Sequence, residues 1–332
     1  MLSVICPVYN EEKYIDNCIQ SILAQDYDKN DLEVLFIDGM STDRTRNIIF
    51  SYVEQYPFIK MLDNPKRIVP TAMNIGIKAS IGEIIIRLDG HVEYPNNYFS
   101  ALVRRLIELD ADNVGAMCKT DVLNKTAKTL AIKEVLCNRF GVGNSTFRLG
   151  GLSKAMEVDT VPFGCWKKDV FKRFGLFDDR LIRNQDIELN KRILRGGGKI
   201  FIVPDTFCTY YARETFRAIA KNNFNNGLWN ILTVYYTGQA NSLSVRHFIP
   251  LCFVLSIILP LLFAIFFPPI GYIALCSVAL YLLCLIAICL QLSFRKNLNF
   301  FYLLWSFAAL HISYGTGSLS AFYKIIFYKN KI

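Results

Sequence analysis

Three apolar stretches of this chain each end in side chains that can do chemistry. Val4-Ile5-Cys6-Pro7-Val8 leads to Tyr9, Asn10 and Glu11; Glu33-Val34-Leu35-Phe36-Ile37 leads to Asp38 and Gly39; Ile84-Ile85-Ile86-Arg87-Leu88 leads to Asp89, Gly90 and His91. Each reads as a strand, and in open α/β sheets ligands bind at the carboxyl edge of the strands. A carboxylate such as Asp89 at that edge is placed to offer a cation to a phosphate. A fourth polar cluster, Asn184-Gln185-Asp186, opens an amphipathic segment over 185–195. There the helix dipole favours the ionised form of Asp186, which is the form a base needs.

The elements that must position these groups follow from the hydrophobic pattern. Short apolar runs alternate with amphipathic segments, giving strands over 2–6, 33–38, 59–62 and 83–89 and helices over 11–24, 43–55, 70–79 and 96–109. That βα alternation predicts parallel strands with crossover helices. In the first helix Ile15, Cys18, Ile19, Ile22 and Leu23, together with Tyr14, form the apolar face, and Glu11 and Glu12 occupy the first turn. From 119 to 160 the periodicity fades among Gly141, Gly143, Gly150 and Gly151, so a long functional loop is expected. Helices are expected again over 167–174 and 185–195. A last strand over 199–203 closes the domain.

Charge divides the chain. After Glu214 there is no acidic residue, while eight cations follow, leaving 29 basic against 28 acidic residues before that point. The excess cations flank two apolar runs, Phe248–Phe267 and Ile270–Leu292, each with the roughly 20 residues needed to span a bilayer core. A third run, Phe300–Phe322, is diluted by His311, Gly315 and Gly317 and is expected to be re-entrant or interfacial, returning Lys324, Lys329 and Lys331 to the inner face. Before the first run, Phe216, Ile219, Phe224, Leu228 and Trp229 mix with Arg217 and Lys221 as an interfacial segment. The basic excess beside apolar runs fits anionic lipid, and no zinc-finger or basic heptad pattern points to nucleic acid. The 10 cysteines are scattered, without a Cys-x-x-Cys pair, so neither a disulfide framework nor a zinc site is expected. Residues 1–8 carry no signal-peptide pattern.

The ordered set Pro7-Val8-Tyr9-Asn10-Glu11, Ile37-Asp38-Gly39-Met40-Ser41-Thr42-Asp43, Asn74-Ile75-Gly76, Arg87-Leu88-Asp89-Gly90-His91 and Asn184-Gln185-Asp186-Ile187-Glu188 resembles family 2 glycosyltransferases over residues 1–235. More narrowly it resembles the membrane-attached enzymes that build succinoglycan-type exopolysaccharides. The resemblance implies a GT-A fold, a Rossmann-like α/β domain with a mostly parallel sheet, followed by C-terminal transmembrane helices. It also implies a nucleotide-diphosphate sugar donor, with a UDP-sugar favoured, a divalent metal, Mn²⁺ or Mg²⁺, and inversion at the anomeric carbon.

By the same resemblance Asp89 and His91 are the metal ligands, His91 standing where the general pattern has a second carboxylate; its imidazole leans the choice toward Mn²⁺. His91 also fits a surface loop. Asp38 receives the base N–H of the nucleotide, Pro7 and Tyr9 wall the base, and Glu11 lies near the ribose. Tyr9 fits plain strand packing equally, Asn74 either reaches the nucleotide or caps a helix, and Asp43 reads as a helix N-cap. Asp186 matches the catalytic base, with Glu188 as its substitute. No Gln-x-x-Arg-Trp follows, so a single transfer per acceptor is expected.

The expected organisation is a catalytic domain over 1–212, an amphipathic interfacial segment over 213–246, a membrane domain of two or three helices over 247–323 and a basic tail over 324–332. The expected protein is a multi-pass enzyme of the inner plasma membrane with a cytosolic catalytic domain and a lipid-linked saccharide as acceptor. A polyprenyl-phosphate sugar synthase and a non-catalytic nucleotide-sugar-binding module are the alternatives.

Overall fold

A computed structural model describes residues 1–239, 241 and 243–327. The chain folds into two compact units, one of residues 1–119 and 146–211, the other of residues 120–145 and those from Ala212 on. In chain order the first unit holds β1 (Leu2–Val8), α1 (Ile15–Leu23), β2 (Leu32–Asp38), α2 (Thr45–Val53), β3 (Ile59–Asp63), α3 (Val69–Ala79), β4 (Ile84–Arg87), β5 (Val92–Glu93), α4 (Tyr98–Glu108) and β6 (Asn113–Asp121). The chain then enters the second unit for α5 (Ala127–Leu136) and α6 (Arg139–Val142). It returns for α7 (Thr146–Leu149), β7 (Met156–Glu157), β8 (Cys165–Lys167), α8 (Val170–Arg173), α9 (Gln185–Arg195) and β9 (Ile200–Tyr211).

The strands make one sheet in the order β3-β2-β1-β4-β8-β6-β9-β5, with β7 added against β9. β1 to β4 are parallel, as the βα alternation requires, while β8 runs antiparallel to both β4 and β6, and β5 and β7 run antiparallel to β9. The sheet is therefore mixed, parallel across β3-β2-β1-β4 and antiparallel in the other half, of which only the start of β9 was expected as a strand. Register brings the strand ends together: Val8 pairs with Asp38, and Ile5 pairs with Arg87. The polar groups that follow β1, β2 and β4 consequently meet at one edge.

The helix expected over 11–24 begins only at Ile15. The backbone N–H groups of Glu11 and Glu12 are taken instead by side chains of the second βα turn, Thr45 Oγ1 at 2.8 Å and an Asp43 carboxylate oxygen at 3.2 Å. Glu11 thus stands outside the helix, with its side chain free to turn toward the β4 loop. Asp43 also accepts from the N–H of Thr45 at 3.0 Å and so ties the two turns together, while the cap position of α2 itself is Arg44.

The second unit contains α5 and α6, then α10 (Phe216–Thr237), α11 (Ile249–Phe263), α12 (Gly271–Lys296) and α13 (Phe300–Phe327). The expected loop over 119–160 contains α5, opened by a capping box between Thr126 and Thr129. Its buried Ala131, Ile132 and Val135 pack with Leu285, Cys289 and Leu292 of α12 and with Leu303 and Phe307 of α13. That pairing draws 120–145 out of the first unit.

The C-terminal apolar runs also depart from expectation. Among the described residues, Pro268–Lys296 alone is long and apolar enough to cross a membrane. The first run yields the 15-residue α11, about 22 Å at 1.5 Å per residue, because Pro268-Pro269 ends the helical stretch. The several spans of a multi-pass protein are not supported. Nor is the third run re-entrant in form, since α13 continues unbroken for 28 residues. Its glycines are packing positions: a Cβ on Gly317 would lie 2.0 Å from the Phe224 carbonyl oxygen, and one on Gly227 would lie 1.9 Å from that of Tyr314. Small residues let α10 and α13 approach backbone to backbone, and the Ser318 hydroxyl donates to the Gly227 carbonyl at 3.0 Å. Lys329 and Lys331 lie outside the described residues.

Candidate active site

The carboxyl edge of β1, β2 and β4 borders a cavity of about 150 Å³, lined from β1 and its turn by Pro7, Tyr9 and Glu11 and from the β4 turn by Arg87, Asp89 and His91. Gly39 closes its floor. A Cβ there would meet the Tyr9 side chain at 3.2 Å, a tight contact. The far wall comes from Asn64, Arg67 and Ile68, in the turn between β3 and α3. The cavity is smaller than the roughly 300–1,000 Å³ of pockets that enclose a drug-sized ligand, so a larger ligand would extend into open solvent.

Asp89 follows β4 with its N–H donated to the buried Tyr94 hydroxyl at 2.8 Å, which fixes the turn. One carboxylate oxygen lies 3.1 Å from the Arg87 guanidinium. His91 Nδ1 sits 3.1 Å from Glu11 Oε1, and its ring is edge-on to those of Tyr14 and Tyr210. Among the described residues no three His, Cys, Asp or Glu side chains converge as a ready metal cage. Asp89 and His91 border the cavity, and Glu11 contacts the His91 ring. A sparse set of hard donors with open positions fits a divalent cation whose other ligands come from a diphosphate, so the residues are compatible with the implied metal.

Two residues expected in the site are turned away from the cavity. Asp38 is fully buried. Its carboxylate accepts from the Ser41 N–H at 3.0 Å, the Ser41 hydroxyl at 2.5 Å and the Arg46 guanidinium at 2.5 Å, and Arg46 also binds Asp63 at 2.7 Å. Asn74 lies within α3 and uses its amide on the segment before α9: it donates to the Phe177 carbonyl at 2.8 Å and to Asp179 at 2.7 Å, and accepts from the Phe177 N–H at 3.0 Å. Both hold the scaffold beneath the edge.

Asp186 occupies the first turn of α9, after Asn184 in the left-handed conformation (φ 61°). One of its carboxylate oxygens accepts from the Ile187 N–H at 2.9 Å. Glu188, the substitute base, is 5% exposed and held by Arg192 through contacts of 3.0 and 2.7 Å, so it has no access to a reacting hydroxyl. α9 is pinned to the sheet by a buried amide chain in which Asn113 donates to Asn190 at 2.8 Å and Asn190 donates to Thr160 at 3.0 Å.

Arg87 is the site residue for which sequence reasoning found no role. Its guanidinium lies 5.8 Å from the Phe163 ring centroid. Burial works against its charge, and the carboxylates of Asp89 and then Asp186 outweigh burial and raise its pKa. The arginine thus lies within electrostatic reach of both the Asp89 and the Asp186 carboxylates. The signal was present as a charge at the end of the aliphatic Ile84-Ile85-Ile86, two positions before Asp89.

A mixed α/β sheet of this order is a GT-A-like fold. Residues 3–166 match the family model described as glycosyl transferase family 2, and the chain carries a family 2 glycosyltransferase domain. The chain is 28% identical over 231 residues to the dolichyl N-acetyl-alpha-D-glucosaminyl phosphate 3-beta-D-2,3-diacetamido-2,3-dideoxy-beta-D-glucuronosyltransferase of Methanococcus voltae, covering 68% of this chain and 71% of that protein. It is 30% identical over 213 residues to the succinoglycan biosynthesis protein ExoA of Rhizobium meliloti, covering 63% of each. Among solved structures, the mannosyltransferase PcManGT of Pyrobaculum calidifontis, in complex with GDP-Man and Mn²⁺, superposes with a TM-score of 0.60 at 18% identity, covering 99% of this chain and 87% of that one.

Proposed function

We propose that the protein transfers one sugar, with inversion, from a nucleotide-diphosphate sugar to a lipid-linked saccharide at a membrane surface. The observation that carries this reading is the shared carboxyl edge of β1, β2 and β4, where Tyr9, Glu11, Asp89 and His91 border one cavity. Asp89 belongs to the turn that borders the cavity; Asp186 stands ionisable at a helix N-terminus with its neighbour Glu188 locked away. In this reading Asp186 takes the proton of the acceptor hydroxyl as that oxygen attacks the anomeric carbon from the face opposite the departing diphosphate. Pro7 and Tyr9 flank the base, and Glu11 orients His91. Asp38, through Arg46 and Ser41, keeps the β2 turn rigid beneath Tyr9.

Asp89 and His91 would hold the divalent cation, Mn²⁺ in preference to Mg²⁺ because of the imidazole, and it would supply positive charge to the leaving diphosphate. The Mn²⁺ in the PcManGT complex supports metal dependence, and the dolichyl-linked substrate in the name of the Methanococcus voltae relative supports a lipid-linked acceptor. Attachment to the membrane belongs in this reading to the second unit, where Leu261 and Phe263 of α11, Phe266 of the turn that follows and Leu283 of α12 are exposed.

The test is nucleotide release by the purified full chain, supplied with UDP-, GDP- and TDP-sugars, Mn²⁺ and a lipid-linked acceptor extract, beside Asp186→Asn. Metal-dependent release of one nucleotide, lost in the variant, is expected. Donor binding without release in every combination of donor and acceptor would favour a non-catalytic binding module.

A further inference from the structure

From His247 to Phe294 there is no charged residue, with Arg246 before this stretch and Arg295 and Lys296 after it. Within it α11 and α12 fold back on each other, with Phe253 against Tyr281 at 4.5 Å between ring centroids. The base of this hairpin is anchored in the second unit. The Tyr281 hydroxyl lies 3.2 Å from His311 of α13, and His311 in turn bonds the Phe140 carbonyl at 2.8 Å. Further down α12, Leu285, Cys289 and Leu292 pack on α5, and Lys296 binds Glu134 at 2.8 Å. Irregular backbone around 143–145 and a helix bearing Lys128, Lys133 and Glu134 cannot face hydrocarbon, so the boundary with water lies near the level of Tyr281 and His311.

Beyond that level each arm has only about ten residues, or about 15 Å of helix, which is half of a ~30 Å hydrocarbon core. The tip is apolar and solvent-facing, Ile265 being 76% exposed and Phe266 86% exposed. Although α12 is long enough to span, half of it is committed to its own unit.

We infer that α11 and α12 form a monotopic hairpin that sinks its tip into one leaflet of a lipid bilayer and does not cross it. Of the cations flanking the hairpin, Arg246, seven residues before Phe253, is nearest the head groups. This rests on the reading that the second unit meets a membrane. A tip that spanned would place Ile265-Phe266-Phe267, with no polar residue, in the opposite aqueous phase.

The full chain, with Cys137, Cys252, Cys276 and Cys284 changed to alanine, is reconstituted into sealed phosphatidylethanolamine–phosphatidylglycerol vesicles carrying Phe266→Cys, Ile265→Cys or Arg295→Cys. The expected result is that Cys at 265 or 266 resists an impermeant maleimide from both sides. A fluorophore attached there in detergent should then emit to the blue and be quenched by nitroxides on the acyl chains, while position 295 labels freely. Labelling of 266 from the side opposite to 295 overturns the monotopic form and leaves membrane attachment standing. Labelling of 265, 266 and 295 from the same side, without quenching, overturns both. Two tip positions that are mostly exposed guard against loss of folding.

Discussion

The Arg87 guanidinium, 7% exposed, lies 3.1 Å from the carboxylate of Asp89, two residues along the same chain. A buried arginine cannot lose its charge, so removing it leaves a half-buried carboxylate facing the field of Asp186 without compensation. Arg87→Met is expected to destabilise the first unit by about 3 kcal/mol, measured by urea denaturation. Arg87→Lys should recover only part of this, because an ammonium does not reproduce the planar guanidinium contact with Asp89. Equal stability of wild type and Arg87→Met would show that the pair is not coupled.

Asp89 and His91 border the cavity together with Glu11, which contacts the His91 imidazole. Asp89→Ala should abolish the Mn²⁺ dependence of nucleotide binding, while His91→Ala should weaken it by about 10–100-fold and leave Glu11 without its partner. Calorimetric titration of nucleotide with and without EDTA reads both. An unchanged metal dependence in Asp89→Ala removes that residue from the cation site.

Of the two acids on the first turns of α9, Glu188 is tied to Arg192 and Asp186 is not. Asp186→Asn should keep donor affinity and lose about 10²–10⁴ in turnover. Glu188→Gln should instead cost stability, with turnover per folded molecule retained. Comparing thermal melts with turnover for both variants separates a base from a structural acid.

The parallel half of the sheet was legible because its strands are continuous aliphatic runs that end in turn residues, and the Asp89 turn could be placed at the edge from spacing alone. Residues 120–145 were not legible. Ile132 and Val135 find their partners in α12 and α13, far along the chain, so no local periodicity announces α5. Asp38 and Asn74 carry the right chemistry at plausible positions, yet Arg46 and the Phe177 backbone satisfy them internally, and no single-sequence pattern reports that pairing. Gly315 and Gly317 looked like dilution of an apolar span, whereas they are the contact surface of α13.

Asp205 in β9 receives Arg105 at 2.8 Å and Arg104 at 2.9 Å, both from α4. The Arg105 hydrogen bond holds the Asp205 carboxyl below its usual pKa, against a smaller opposing effect of burial. A depressed carboxyl binds protons more readily when unfolded, so its stabilisation is complete above the unfolded value near pH 4 and fades as pH falls through the folded value. Asp205→Asn should therefore cost about 1 kcal/mol at pH 7, discounted for the exposed Arg104, and almost nothing near pH 2. Denaturation curves at both pH values check it, and an equal cost at each would mean that charge contributes nothing to this contact.

Gly227 of α10 is the tightest point of the second unit, since a side chain there would begin 1.9 Å from the Tyr314 carbonyl oxygen. Backbone, unlike a side-chain tip, cannot swing aside, so relief requires α10 and α13 to separate. Separation also breaks the bond from Ser318 to the Gly227 carbonyl and unseats Gly317 from Phe224. Gly227→Ala is expected to cost at least about 3 kcal/mol, the upper part of the overpacking range, although alanine is the better helix former. Ser318→Ala, which removes only the hydrogen bond, should cost about 1 kcal/mol. The ordering of the two in a detergent melt is the critical result: helix propensity alone would make Gly227→Ala the more stable protein, and close backbone packing makes it the less stable one.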